Sequence, residues 1–369
     1  MKPLMGAILF PQKDGKSTQE KPFIVLSTRQ EVNSELARSL RLAGFTQVEM
    51  LSQTLASVVP LQISADAHGV IIDIGPLSCS ESVVTTLLAI IPRNVWCCVV
   101  GDSDSITLAQ SFANYGIHYF NLSAQREMVI QAAISGATLA VRRWALSISV
   151  LGCKGGVGNT WIAWQLATRI LQLRPAPTLY IQGSAASQDL DLLAGKKLQQ
   201  DVTQVSKNLD ALRSGEAYLP DLSQESFLSY NFVLFDQAIH TADKETLRQI
   251  AGQSSCLVLV MDRSMTSIRL ARRMIDTVEA INRAGLMSRR LLLCLNDTRP
   301  PAPEMLTQED MESLLGRELH FVIPWHGQSR SLFRRRSTRT PLESLTLQIL
   351  GEPAKTLSAS RWAVKNKDR

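Results

Sequence analysis

The chain has 369 residues, enough for two domains that each bury a core, and 45% of them are hydrophobic against 20% charged. That balance excludes a disordered polar tract, while a formal net charge of +6 permits attraction to nucleic acid or anionic lipid without establishing either. The start of the sequence lacks a charged segment followed by an apolar core of signal length, and no apolar run approaches the ~20 residues that cross a bilayer, so a cytoplasmic protein is expected.

Residues 1–21 show no sustained periodicity and read as a flexible leader. From Pro22 strands and helices alternate. Strands are expected at Phe23–Ser27, Val48–Leu51, Gly69–Ile74, Val95–Val100 and His118–Leu122, with helices over Val32–Leu42, Ser82–Ile91, Ile106–Tyr115 and Glu127–Arg142. Five strands alternating with helices within residues 22–143 predict a small doubly wound parallel sheet of the flavodoxin-like kind.

That order and length resemble a response-regulator receiver domain, with Asp73 at the end of the third strand, where a receiver carries its phosphoacceptor. The remaining pocket departs from the pattern. Ser27, Thr28 and Arg29 stand where a receiver has the acidic pair that holds Mg²⁺, and Asn121 and Ser123 stand near the place of its lysine. With so few hard oxygen ligands for a metal, Asp73 reads as a strand-end carboxylate, and the domain as an atypical receiver serving as a binding or dimerisation module.

Trp144 and Ala145 make a very short link, which predicts a defined orientation between the first domain and a second one over residues 144–350. The second begins with an apolar strand at Ser147–Leu151, a loop through Cys153, Lys154, Gly155, Gly156, Val157, Gly158, Asn159 and Thr160, and a helix over Trp161–Leu173. Strand, glycine loop and helix are the context of a phosphate-binding loop, where backbone N–H groups and the positive helix end face an anion. One residue departs from the standard loop: Asn159 stands where a lysine would grip the β- and γ-phosphates. Losing that ionic contact costs roughly 1.5–3 kcal/mol, about ten- to hundredfold in affinity.

Further strands follow at Thr178–Ile181, Phe232–Phe235 ending in Asp236, Cys256–Met261, Leu291–Leu295 ending in Asn296, and Phe321–Pro324. A loop and short helix over Gln182–Leu193, a helix over Thr241–Ala251, an arginine-rich helix over Thr266–Ala284 and a helix beginning in Ser329–Arg339 connect them, again predicting α/β structure on a parallel sheet. The tail from Gly351 is polar and reads as loose. Cys79, Cys97, Cys98, Cys153, Cys256 and Cys294 lie in apolar runs without paired or metal-ligand spacing and read as reduced, mostly buried thiols.

The run Lys154-Gly155-Gly156-Val157-Gly158-Asn159-Thr160 resembles the deviant Walker A motif of the ParA/MinD ATPases, apart from Asn159. The resemblance implies that residues Gly155 to Thr160 cradle ATP and that Lys154 reaches across a nucleotide-sandwich homodimer to the partner's phosphates. It places Asp236 at the Walker B position, where it would hold Mg²⁺ through water together with the Thr160 hydroxyl, and Asn296 against adenine. Gln182 and Ser184 occupy the places of acidic residues, one of which positions the attacking water in active relatives. Together with Asn159 they remove two contributors to hydrolysis, so weak or absent turnover is expected.

A receiver-like domain ahead of such an ATPase domain is similar to the TadZ/CpaE proteins of the Flp/Tad pilus system, as are the segments from Gln188 to Gly195 and from Ser267 to Arg273. The resemblance implies a homodimer peripheral to the inner membrane at a cell pole, binding ATP weakly or conditionally and recruiting the pilus secretion ATPase and inner-membrane pilus components. Two rivals stay open: an active partition ATPase with nucleotide-dependent DNA binding, and a response regulator controlled at Asp73. The cluster Arg334, Arg335, Arg336 and Arg339 reads first as a solvated helix face, with DNA phosphates, anionic lipid or an acidic partner as alternatives. Trp362, amid Arg361, Lys365 and Lys367, lacks the strong apolar face of a membrane-anchoring helix.

Overall fold

A computed structural model describes residues 21–53, 63–64, 66–76, 81–136, 145–187, 189–198, 201–284, 289–325 and 341–351. The expected leader, Cys79, Trp144, the helix over 329–339 with its arginine cluster, and Trp362 lie outside the described residues.

The first sheet forms from short apolar runs buried on both faces, as parallel strands between two helical layers must be. Its elements are β1 (Phe23–Leu26), α1 (Gln30–Leu42), β2 (Val48–Leu51), β3 (Gly69–Asp73), α2 (Glu81–Ile90), β4 (Trp96–Gly101), α3 (Ile106–Ala113), β5 (His118–Asn121) and α4 (Arg126–Gly136). The strands are all parallel in the order β2-β1-β3-β4-β5, the flavodoxin-like winding. Phe23, Val25, Leu36, Leu40 and Trp96 form the core beneath α1 and α4.

The second sheet comprises β6 (Leu146–Gly152), α5 (Asn159–Leu173), β7 (Thr178–Gln182), α6 (Leu190–Ala194), β8 (Thr203–Ser206), β9 (Leu209–Arg213), β10 (Phe232–Ala238), α7 (Lys244–Gln253), β11 (Cys256–Met261), α8 (Met265–Arg283), β12 (Arg290–Asn296), α9 (Gln308–Leu315), β13 (Phe321–Ile323) and α10 (Pro341–Ile349). Its order is β13-β12-β11-β6-β10-β7-β9-β8, with the glycine-loop strand β6 near the centre. The sheet is parallel as expected, with an added edge where β8 runs antiparallel to β9. Lys207 and Asn208 join the two, and Asn208 takes the left-handed conformation, φ 67°, that such a tight turn needs.

The two sheets share a continuous apolar core, and α2 lies between them. Every residue from Val84 to Ile91 is buried, so this stretch of α2 has no wet side. One side covers its own sheet; the other meets the second domain. Asn231 donates its Nδ2 to the Ile91 carbonyl at 2.7 Å and to that of Leu88 at 3.4 Å, pairing carbonyls that a helix end leaves orphaned. In return Arg93 donates to the Phe227 and Tyr230 carbonyls at 2.8 and 3.0 Å, and the Thr86 hydroxyl to that of Leu350 at 3.3 Å. Cys97, Cys98, Cys153, Cys256 and Cys294 are buried free thiols.

Candidate functional site

The glycine loop sits at the C-terminal end of β6, all seven of whose residues are buried, and leads directly into α5. Gly156 and Gly158 have φ of 78° and 81°, backbone that side chains rarely adopt. A Cβ on Gly158 would also meet Asn296 Nδ2 at 2.6 Å, whereas Gly155 and Gly156 face open space. The loop is therefore closed below and open above. Gly158 caps α5 and offers no side chain to the first-turn N–H groups, which a helix start leaves without intrahelical partners.

Beneath the loop the sequence-predicted residues converge on Asp236, whose carboxylate is fully buried on β10. Asn159 donates its Nδ2 to Asp236 Oδ1 at 2.5 Å and to the Val150 carbonyl at 3.0 Å. Tyr180 on β7, itself fully buried, donates its hydroxyl to Asp236 Oδ2 at 2.9 Å, and the Thr160 hydroxyl donates to the same carboxylate. Burial pushes the Asp236 carboxyl above its ordinary range, outweighing the donors from Thr160, Tyr180 and Asn159 that favour its charge. A lysine at position 159 would have offset that buried charge; an amide does not. The Asn159 Oδ1 is buried without a hydrogen-bond partner. Tyr180 carried no sequence signal beyond its place in an apolar strand.

Around this centre each remaining group is held inside the chain. Lys154, expected to face a partner's phosphates, pairs at 3.0 Å with Asp262, which also accepts from the Ser264 and Ser267 hydroxyls. Asn296, expected against adenine, donates its amide to the Val157 carbonyl at 2.8 Å and braces the back of the loop. Gln182 donates to the Ser187 carbonyl and accepts from Arg213 Nε at 3.0 Å, while Arg213 pairs with Asp191 at 3.0 Å.

The pocket of the first domain is filled by its own cation. Asp73, with a side chain 1% exposed, accepts from Arg29 Nε at 2.8 Å and Nη2 at 2.6 Å, from the Ser27 hydroxyl at 2.6 Å and from the Gly75 N–H at 2.9 Å. The same guanidinium reaches Asp102 beyond β4 through Nη1 at 2.7 and 2.8 Å. Burial works to raise the Asp73 carboxyl, but Arg29, Ser27 and Gly75 together hold it below the usual range. Asn121 turns its Oδ1 onto Ser123 and Ala124 and does no work at Asp73.

No protein-family model matches the chain, and no curated protein matches it. Among solved structures it is similar to a ParA family ATPase from Chlorobium tepidum TLS, at 19% identity and a TM-score of 0.40 over 56% of this chain and 99% of that one. It is also similar to the MinD cell division protein of Aquifex aeolicus, at 18% identity and a TM-score of 0.38 over 56% of this chain and 95% of that one. An ATP complex of a Cyanothece McdA variant matches at 13% identity and a TM-score of 0.40 over 57% and 98% of the two chains. The fold is α/β with parallel-sheet domains, and no helix among the described residues is long and apolar enough to cross a membrane.

Proposed function

We propose that the chain is a nucleotide-responsive assembly factor of the TadZ/CpaE kind, a homodimer that binds ATP weakly and uses it as a conformational ligand rather than as fuel. It acts at a cell pole beside the inner membrane, where it gathers the Flp/Tad pilus secretion ATPase and inner-membrane pilus components. The observation that supports this reading is the Asn159 amide, turned under an otherwise open glycine loop and fixed on Asp236. The loop's open N–H groups suit a triphosphate. The chain's own groups orient that anion, but Gln182, bound to Ser187 and Arg213, cannot act as a base toward water.

The Arg29 guanidinium across Asp73 speaks against phosphorylation control. Calorimetric titration of ATP into the native chain and Asn159→Lys tests the proposal. Weak native binding, strengthened by the lysine and accompanied by negligible phosphate release, is expected. Phosphate release from the native chain at rates of an active partition ATPase would overturn it.

A further inference from the structure

We propose that this site takes its nucleotide without help from a divalent metal, an inference that rests on the nucleotide-binding reading above. Mg²⁺ demands near-octahedral oxygen coordination and is ordinarily held by a hydroxyl and one or two carboxylates besides the phosphates. Among the described residues, the two carboxylates at the loop, Asp236 and Asp262, are both engaged by other side chains. Asp236 lies beneath the loop, and three donors, from Asn159, Tyr180 and Thr160, already converge on its two oxygens. It is also fully buried.

The neighbouring strand ends supply no replacement. On β7 the equivalent position carries Gln182, whose amide is taken by Ser187 and Arg213, and the Arg213 guanidinium would repel a metal ion there. On β11 Asp262 is engaged by Lys154, Ser264 and Ser267. No group of three or more His, Cys, Asp or Glu side chains among the described residues is placed to hold a metal. The Thr160 hydroxyl alone remains, and one neutral oxygen adds little to a strongly hydrated ion.

The experiment is a titration of the full chain with ATP, once with Mg²⁺ and once with excess EDTA. Dissociation constants agreeing within about threefold are expected. Binding at least tenfold tighter with Mg²⁺ would overturn the metal-free inference while leaving the nucleotide-binding proposal standing. No binding in either buffer would overturn both. Tyr180→Phe combined with Gln182→Asp provides the converse: it removes one of the three donors on Asp236 and adds a carboxylate at the rim. If its fold is intact by circular dichroism, this variant should bind ATP at least fivefold tighter with Mg²⁺ than with EDTA. Equal affinity in the two buffers would show that these two residues are not what excludes the metal.

Discussion

At the scale of single residues, positions 159 and 29 leave two buried carboxylates in opposite states. Position 159 carries an amide and leaves Asp236 buried without a cation, whereas position 29 provides a cation that spans Asp73 and Asp102. Asn159→Lys should therefore raise ATP affinity about ten- to hundredfold, measured by calorimetry, because the new ammonium meets both phosphate and a carboxylate already in place. An unchanged affinity would mean that the open loop does not present its N–H groups to phosphate. Arg29→Met should destabilise the fold by about 2 kcal/mol in urea unfolding at neutral pH, less than for a fully buried pair because the guanidinium is one-third exposed. Its pH dependence has a definite sign. Asp73 is held below its ordinary value, so its contribution is complete above about pH 4 and disappears as pH falls through the lowered folded value. The difference between Arg29→Met and the native chain should accordingly shrink in acid; a difference that persists unchanged at pH 3 would assign the stabilisation to packing.

At the scale of elements, α2 carries the most unusual burden, since Asn231 and Arg93 exchange hydrogen bonds across it between the domains. Truncating either side chain removes donors from buried carbonyls, and Arg93→Ala or Asn231→Ala should each cost about 1–3 kcal/mol in chemical unfolding. Gly136 at the end of α4 is similarly constrained, because a Cβ there would overlap the Trp96 indole. Gly136→Ala should lower stability by about 1–3 kcal/mol, and a neutral result would mean that the Trp96 ring has room to turn.

Which elements could be read from the sequence follows the same physics. Apolar strands such as Val70–Ile72 and Cys256–Met261 announce themselves, as does the glycine loop, because their composition alone demands burial or an anion. The hairpin β8–β9 does not, since Thr203–Ser206 is a half-exposed edge with little hydrophobic signal. Helix α9 left a readable sign, the capping box of Thr307 and Asp310. The run Val83 to Ile91 is apolar but for Thr85 and Thr86, and nothing in it says what lies on the helix's second side. The same limit holds at the candidate site: Asp236 and Asn159 were visible at their motif positions, while Tyr180 and the reach of Arg29 to Asp102 depend on folding.

At the scale of the whole molecule, the continuous core predicts that the two domains melt together. Urea unfolding followed by far-ultraviolet dichroism should give one transition, and Arg93→Ala with Asn231→Ala should separate it into two. Two well-resolved transitions in the native chain would show that α2 is not a shared structural element. A wedge that is oily on every side also constrains how this protein can be taken apart. A cut in the connection after Gly136 would strip α2 of its outer neighbours and uncover the face of the other lobe at the same stroke, so neither half should stay in solution alone. The front lobe is then less a detachable unit than a wall of the lobe that carries the glycine loop, and the two are expected to fold as one body.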